Sequence, residues 1–284
     1  MIDLHTHSTC SDGSMTPKEL IDHAKKCGLE AVALTDHDTA DGVKEALERG
    51  AEIGIEVVPG IELSAQSETE THILGYFIGI DHPALTEALV KIKETRAIRS
   101  RRNCEKLRAL GYDVTMAEAE QVAGGEMLCR AHFARVLVDK GYMPSVKVAF
   151  DTLLANGKPA YDDTQYLTAT QAVELISEIG GMAFLAHLHL TRKPDDVLEK
   201  FVLELKEAGL AGIEGYYTEY TPELQEKYHA MAKRLGLLIS GGTDFHAAMK
   251  PHISIGVGLG DMNIPYSVLE NIKEAEGKAK KRSF

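Results

Sequence analysis

The residues best suited to chemistry in this sequence stand in short clusters, and the first cluster lies at its beginning. His5 and His7 are two residues apart in a stretch where apolar and polar residues alternate, which is the period of a β-strand. On a strand, both imidazoles would point to the same face. With the Asp12 carboxylate five residues further on, this spacing predicts a metal site. A single pair of this kind is more often two unrelated surface histidines, so the prediction depends on the rest of the chain.

Comparable groups of imidazole and carboxylate side chains recur along the chain, each next to an apolar run that suits a strand. The candidates gathered in this way are His5, His7, Asp12, Asp36, His37, Asp38, Glu62, His72, His187, Asp244 and His246. One such pair is weak support for a site, but repeated placement at the ends of predicted strands is strong support. Imidazole and carboxylate together suit Zn, Mn or Fe, and the absence of cysteine from this set of candidates disfavours a structural zinc site.

The elements that must position these side chains alternate between strand and helix. The predicted strands cover residues 31–34, 55–58, 71–77, 182–186, 211–216 and 237–240, and the predicted helices between them cover 42–50, 170–178, 194–208 and 222–235. An earlier helix should begin after Thr16, because Pro17 suits its first position and Glu19 completes a capping box. This order predicts parallel βα units that close into a barrel or form an open sheet, with ligands bound at the carboxyl ends of the strands.

The strand rhythm stops between residues 83 and 163, where only helical patterns are found. Helices are predicted at 116–123, 131–140 and 145–154, and we interpret the segment as a small helical insert. It carries a basic run, which we interpret as a solvated helix face in preference to a track for the substrate. The basic residues of that run are Arg96, Arg99, Arg101, Arg102, Lys106 and Arg108.

Composition and charge exclude several classes of protein. With 44% hydrophobic residues the 284-residue chain can bury a large core, and its net charge of −12 argues against a protein that coats nucleic acid. The four cysteines are widely spaced without a Cys-x-x-Cys motif, as expected in a reducing compartment. Neither a signal peptide nor a membrane-spanning apolar run is found, so we expect a cytoplasmic protein without a membrane partner.

Five motifs in order give the sequence a resemblance to a known family. They are Asp3-Leu4-His5-Thr6-His7, Ser11-Asp12-Gly13, Thr35-Asp36-His37-Asp38, Pro59-Gly60-Ile61-Glu62 and Gly242-Thr243-Asp244-Phe245-His246. They resemble the polymerase and histidinol phosphatase (PHP) family over nearly the whole chain. The resemblance implies an α/β fold, a distorted (β/α)7 TIM-like barrel formed by residues 1–82 and 164–284. It also implies that residues 83–163 form an insert over an active site with two or three metals that hydrolyse phosphate esters.

The resemblance also implies a set of metal ligands. His5, His7, Glu62 and Asp244 would hold one ion, and Asp12, His37 and His246 would hold a second. Glu62 would bridge to a third ion with His72 and His187. Asp12 stands where some branches of the family have histidine, and Leu188 stands where close relatives usually have proline, so His189 is an alternative to His187. The expected ions are Mn, Zn, Fe or Mg.

Two segments of the insert resemble a subgroup of small metal-dependent phosphoesterases. They are Cys129-Arg130-Ala131-His132-Phe133-Ala134-Arg135 and Gly157-Lys158-Pro159-Ala160-Tyr161. The subgroup acts on nucleoside 3′,5′-bisphosphates or trims RNA from its 5′ end, so the expected partner is a nucleotide or short RNA.

The expected reaction is attack on phosphorus by a hydroxide held between two metals. Arg130 and Lys158 would clamp the phosphate, and His132 or His246 would supply a proton to the leaving oxygen. Solvated surface charge is the alternative for both basic residues.

Other residues and functions have simpler alternatives. For Asp38, a helix cap or loop hydrogen bond is as plausible as a metal role, and Glu214 fits a buried structural carboxylate. A phosphatase of another small metabolite, such as a sugar or histidinol phosphate, is the second candidate function. A metal-binding module without turnover is the third, although intact carboxylates at Asp12, Glu62 and Asp244 argue against it. The sequence leaves the choice between monoester and diester, and the oligomeric state, open.

Overall fold

The computed structural model describes residues 1–67, 69–124, 128–162, 164 and 166–282. Eight strands lie in this part of the chain: β1 (Ile2–Asp3), β2 (Ala31–Leu34), β3 (Glu56–Gln66), β4 (His72–Tyr76), β5 (Leu167–Thr168), β6 (Met182–Leu185), β7 (Gly212–Tyr217) and β8 (Leu238–Gly242). Seven of them follow one another in one sheet in the order β1, β2, β3, β4, β6, β7 and β8, and β5 pairs with the end of β3.

The sheet closes on itself because β1 and the segment after it meet β8 and the segment after that strand. The Leu4 N–H donates to the Gly241 carbonyl at 3.1 Å, and the His7 N–H donates to the Phe245 carbonyl at 2.9 Å. A side chain at Gly242 would not fit this seam, since a Cβ atom there would lie 2.2 Å from the Cβ of His5. The predicted distorted (β/α)7 barrel is therefore confirmed.

One strand runs against the predicted direction. β4 is antiparallel to both β3 and β6, whereas we predicted parallel βα units throughout. The reason is that β3 continues past residue 58, where we expected it to end, and reaches Gln66. Only five residues then separate it from β4, which is enough for a hairpin but too few for a parallel crossover. The hairpin places His72 diagonally across from Glu62.

Ten α-helices lie in the described residues: α1 (Pro17–Lys26), α2 (Val43–Ile53), α3 (Pro83–Ala109), α4 (Met116–Ala123), α5 (Arg130–Asp139), α6 (Val146–Ala149), α7 (Ala169–Glu178), α8 (Asp195–Glu207), α9 (Pro222–Leu235) and α10 (Ser267–Arg282). The capping box at Thr16 and Glu19 is present as predicted. We did not predict α10, which buries Val268, Leu269 and Ile272 against residues inside the barrel. None of the described helices combines the length and apolar character needed to cross a membrane.

The helices from α3 to α6 share a small core of their own. A π-helical turn at Phe150–Leu154 follows α6, and the described part of residues 83–162 contains no strand. The buried apolar residues of this core include Leu107, Phe133 and Leu137. The division into a barrel and an insert stays a prediction, and its boundary at residue 163 lies outside the described residues.

Candidate metal centre

The Glu62 carboxylate lies at the centre of a group of five imidazoles inside the barrel mouth. It comes from the middle of β3, where the strand is buried on both faces. The imidazoles divide between its two oxygens: His5 Nε2, His7 Nε2 and His37 Nδ1 lie 3.2, 3.3 and 3.0 Å from Oε2, and His72 Nδ1 and His187 Nε2 lie 2.9 and 3.1 Å from Oε1. A carboxylate with ring nitrogens on both oxygens has the form of a bridging ligand between two cations.

The atoms at this centre fit a metal ion better than they fit one another. His5 Nε2, His7 Nε2, His37 Nδ1 and Glu62 Oε2 are buried, and none of them has a hydrogen-bond partner in the structure. Buried polar atoms without partners are costly, so convergent unpaired nitrogen and oxygen atoms indicate a site that can hold a cation. The donor set, imidazole nitrogen and carboxylate oxygen, suits Zn, Mn or Fe.

Two histidines are held by neighbours in the tautomer that metal binding requires. His5 Nδ1 lies 2.9 Å from Glu214 Oε1, and His246 Nδ1 lies 2.8 Å from the backbone carbonyl oxygen of Asp244. A carboxylate or carbonyl oxygen can only accept, so Nδ1 carries the proton in both rings. When either ring is neutral, as it is on binding a metal ion, its lone pair is therefore on Nε2, which faces the centre.

Three sets of side chains have ligand atoms close enough to share an ion. Within each set, these atoms lie within 4.8 Å of one another. The sets are His5, His7 and Asp244; His7, Asp12, His37 and His246; and His37, Glu62 and His72. These sets include every predicted ligand except His187. The His187 imidazole instead contacts the Glu62 carboxylate.

Charge at the centre favours cations. Burial raises the pKa of the Glu62 carboxyl, but the His37 and His5 imidazoles hold it well below its usual range. Burial lowers the pKa of His7, yet Asp244 and Glu62 raise it to about 9. The buried carboxylates therefore stay ionised at neutral pH and attract a positive charge, whether a proton or a metal ion.

Asp244 is oriented by two residues that we did not identify in the sequence. Tyr217 OH donates to Asp244 Oδ2 at 2.9 Å, and Lys250 Nζ donates to the same oxygen at 2.6 Å. Oδ1 is thereby left facing His7 Nε2 at 3.2 Å. Burial raises the pKa of Asp244, but Lys250 and His246 hold it well below its usual range. Neither residue belongs to a recognisable motif, so local sequence gave no signal for them.

A strained backbone conformation at two residues and the hydrogen bonds accepted by two buried aspartates position these side chains at the strand ends. Asp244 has a φ of 55° and His187 a φ of 24°, in the left-handed region that residues other than glycine rarely adopt. Asp3 accepts from the N–H groups of Thr243 and Gly256 at 2.9 and 2.8 Å, which fixes the segment after β8. Asp36 accepts from the Ser8 N–H at 2.7 Å, so it is an anchor for the loop that carries Asp12.

The geometry distinguishes between His187 and His189, which the sequence left as alternatives. His187 Nε2 lies 3.1 Å from Glu62 and 3.2 Å from His72 Nδ1. His189 Nε2 instead lies 3.1 Å from Glu219 Oε2 at the protein surface. The structure therefore brings His187 to the centre and leaves His189 outside it.

A cavity of about 640 Å³ opens above the centre, between the barrel and helices α3, α5 and α6. Of the residues predicted to bind substrate, only Arg130 lines it. Lys158 is exposed after the turn at Gly157 and lies outside the cavity, so its predicted phosphate contact is not supported. His132 does not line the cavity either; its Nδ1 caps α5 by accepting from the Cys129 N–H at 3.0 Å.

The prediction of a solvated basic face was wrong for two arginines of α3. Arg96 is 5% exposed and Arg99 is 4% exposed, and both line the cavity. Arg96 forms an ion pair with Asp38, which also accepts from the Ser64 N–H at 2.8 Å. Asp38 is thus a loop anchor and an arginine partner. Glu214 is fully buried, as predicted, and also accepts from the His187 N–H at 2.6 Å.

Comparison with known proteins agrees with this geometry. A 3′,5′-nucleoside bisphosphate phosphatase of Chromobacterium violaceum is 38% identical over 251 residues, which are 87% of this chain and 87% of that protein. The 5′-3′ exoribonuclease Rnm of Escherichia coli is 34% identical over 257 residues, which are 89% of this chain and 87% of that protein.

The fold comparison and the family match point in the same direction. A solved structure from Bifidobacterium adolescentis, assigned as a metal-dependent phosphoesterase, has a TM-score of 0.84 at 28% identity and covers 95% of this chain and 94% of its own. The family model described as the PHP domain matches residues 3–179, which is more than half of the chain. This protein therefore belongs to the PHP domain family, as its motifs indicated.

Proposed function

We propose that this chain is a metal-dependent phosphoesterase that hydrolyses a phosphate ester of a small nucleotide or at the 5′ end of short RNA. The observation that carries the proposal is the Glu62 carboxylate, which has unpaired ring nitrogens of three histidines on one oxygen and two further imidazoles on the other. A centre of this form suits adjacent cations. Adjacent cations suit phosphate esters, since the charge to be neutralised is on the phosphoryl oxygens.

Two or three divalent ions would be held by the residues of the centre. His5, His7, Glu62 and Asp244 would hold the first ion, and Asp12, His37 and His246 the second. His72 and His187, with the other oxygen of Glu62, would hold a third. When bound, such ions supply a nucleophilic hydroxide near neutral pH and neutralise charge on the phosphoryl oxygens. We propose Mn, Zn, Fe or Mg, because the ligands are imidazoles and carboxylates.

The roles of the remaining residues follow from where their atoms lie. His246 has only Nε2 available, since its Nδ1 donates to the Asp244 carbonyl; the Asp12 carboxylate 3.1 Å from Nε2 favours a ligand role over proton donation. We do not retain His132 as a proton donor. Asp244, held by Lys250 and Tyr217, keeps one oxygen directed at the centre.

The substrate class rests on the cavity and on the relatives. A volume of about 640 Å³ suits a nucleotide-sized ligand. Arg130 lines this cavity and would contact a phosphate of the substrate. The two relatives named above act on nucleoside bisphosphates and on RNA, and they align with nearly nine-tenths of this chain. The cytoplasmic location stays a prediction.

Hydrolysis of a panel of substrates, followed as released phosphate and as released mononucleotide, tests the proposal. The panel contains adenosine 3′,5′-bisphosphate, adenosine 5′-monophosphate, a 5′-phosphorylated RNA trinucleotide, ribose 5-phosphate and histidinol phosphate, each with added Mn. We expect release from the nucleotides or the RNA. Glu62→Gln should reduce kcat/KM by at least about 100-fold, since it removes the bridging charge. Glu45→Gln, on the exposed face of α2, is the matched control and should behave as wild type.

Two results would contradict the proposal. Faster turnover of ribose 5-phosphate or histidinol phosphate would favour the phosphatase of another small metabolite. Stoichiometric metal without release from any substrate would favour a metal-binding module.

A further inference from the structure

One oxygen of the Asp244 carboxylate accepts hydrogen bonds from two donors that come from different parts of the chain. Tyr217 is the last residue of β7, and its OH donates to Asp244 Oδ2 at 2.9 Å. Lys250 follows the short 3₁₀ helix at Ala247–Met249, and its Nζ donates to the same oxygen at 2.6 Å. A carboxylate oxygen has two lone pairs, so these two hydrogen bonds saturate Oδ2.

The other oxygen of this carboxylate faces the candidate ligands. Asp244 Oδ1 lies 3.2 Å from His7 Nε2 and 3.7 Å from His5 Nε2. The same two ring nitrogens lie 3.3 and 3.2 Å from Glu62 Oε2. An ion held by these four side chains would therefore meet one oxygen of Asp244, while the second oxygen stays with its two hydrogen-bond donors.

The backbone around Asp244 is fixed, which prevents the carboxylate from turning without loss of these contacts. The Asp244 carbonyl oxygen accepts from His246 Nδ1 at 2.8 Å, and the φ of Asp244, 55°, is one that only its surroundings can hold. The preceding residue is held as well, since the Thr243 N–H donates to Asp3 at 2.9 Å and Thr218 Oγ1 donates to the Thr243 carbonyl at 2.8 Å. Rotation of the Asp244 side chain would therefore have to break both hydrogen bonds to Oδ2.

We propose that Tyr217 and Lys250 are positioning residues that restrict Asp244 to one ligand oxygen and thereby shift the preference of the centre from Mn towards Zn. This inference rests on the metal binding of the proposed function and deepens it. Zinc favours four ligands, whereas Mn favours six ligands that are mainly oxygen atoms. A second carboxylate oxygen at the ion would therefore benefit Mn more than Zn, and the two donors withhold that oxygen.

The positive charge of Lys250 has a separate effect that the test must distinguish. An ammonium group 2.6 Å from Asp244 Oδ2 weakens the attraction of this carboxylate for every divalent ion. Zn and Mn carry the same charge, so this effect changes both affinities to a similar extent. The ratio of the two dissociation constants, Mn over Zn, therefore reports the hydrogen bonds to Oδ2 and is insensitive to the charge. Tyr217 is a neutral donor and provides the same test without any change of charge.

Competition with chelators tests the inference without turnover. Metal-stripped protein would be titrated with Zn and with Mn, and the dissociation constant of the first ion bound would be measured for wild type, Tyr217→Phe, Lys250→Met and the double variant. We expect the Mn over Zn ratio to fall about 10-fold in each single variant and further in the double variant. Lys250→Arg keeps a charged donor and should retain most of the wild-type ratio.

Two control variants make the measurement specific to these hydrogen bonds. Lys200→Met, exposed on α8, and Tyr142→Phe, exposed in the segment before α6, should both have the wild-type ratio. A ratio that falls in both Tyr217→Phe and Lys250→Met would support the inference. A wild-type ratio in either of these variants would overturn it, including the case in which Lys250→Met strengthens the binding of both ions equally.

Hydrolysis by the same protein samples separates this inference from the proposed function. Wild-type protein that hydrolyses a phosphate ester, with an unchanged ratio in the variants, would refute the inference and leave the proposed function standing. A lowered ratio in both single variants, with no hydrolysis of any ester by wild type, would refute the proposed function alone. Wild-type protein that binds neither ion would refute both.

Discussion

The side chains around Glu62 combine two kinds of contact that have separate tasks. Some atoms face the centre and have no partner, as His7 Nε2 does. Others face outward and are held by hydrogen bonds, as His5 Nδ1 is by Glu214. The outward contacts fix the ring orientation and tautomer, and the inward atoms are left available as ligands. The centre is therefore organised in advance of any ion that it binds.

Glu214 provides the sharpest test of this organisation. The Glu214→Gln variant keeps the size of the side chain but presents either a neutral acceptor or an N–H₂ group to His5 Nδ1 and to the His187 N–H. We expect the affinity for the first metal ion to fall by about 10- to 100-fold. Competition with a fluorescent chelator measures this affinity.

A control variant and the addition of excess metal make the result specific to the contact of Glu214 with His5. Glu204→Gln, exposed on α8, should leave the metal affinity unchanged. Excess metal should restore most of the activity of Glu214→Gln, since the ligands themselves remain. Wild-type affinity in Glu214→Gln would mean that His5 needs no outward partner.

Sequence analysis could predict ligands but not the residues that support them. His5, His7 and Asp244 were identified because their motifs repeat at strand ends. Lys250 and Tyr217 were missed because they reach Asp244 through folding, from positions without a local pattern. Lys158 was placed in the cavity because a basic residue after a turn suits either solvent or a ligand, and spacing does not distinguish between them.

At the scale of elements, α3 links the outer wall of the barrel to the cavity. Its first turns pack apolar residues on the barrel, and the same stripe then carries Arg96 and Arg99. Arg96 and Arg99 continue the helical spacing of Leu85 and Ile92, so the spacing is consistent with the buried face that the structure shows. The run of basic residues around them favoured a solvated helix face instead.

The two buried arginines of α3 should respond to different extents to the same substitution. Arg96→Met leaves the buried Asp38 carboxylate without its partner, so we expect the free energy of unfolding to fall by about 3–5 kcal/mol. Arg99 has no ion-pair partner in the part of the chain that the structure describes, although Asp38 attracts its charge, so Arg99→Met should lower the free energy of unfolding by less than Arg96→Met does. Urea denaturation of both variants measures the difference.

A double variant checks the cause of the loss. Adding Asp38→Asn to Arg96→Met removes the unpaired charge and should recover part of the lost stability. No recovery in the double variant, or equal destabilisation by the two single variants, would refute the account of α3.

Element order could be predicted more fully than strand direction. The alternation of strands and helices predicted a barrel or an open sheet, and α4 and α9 have the predicted bounds. The antiparallel β4 could not be predicted from its own residues, since an apolar strand pairs in either direction. The length of β3 decided it, and that length depends on pairing partners that local propensity does not encode.

At the scale of the whole molecule, the closed sheet brings distant segments of the chain to one point. His5 and Asp244 are 239 residues apart in sequence and lie 3.7 Å apart at Nε2 and Oδ1. The net charge of −12 makes the binding of an anionic substrate unfavourable at long range. Bound divalent ions and the arginines of α3 and α5 would offset this charge where the substrate enters.

The central claim is that this closed barrel holds divalent ions and uses them to hydrolyse a phosphate ester. One titration tests it most directly: metal-stripped protein receives Mn in steps, while bound metal and phosphate release from adenosine 3′,5′-bisphosphate are followed in the same sample. We predict no release from the stripped protein and an activity that rises until at least two ions are bound per chain. Full activity in the presence of chelator, or activity that does not change as the ions bind, would contradict the account.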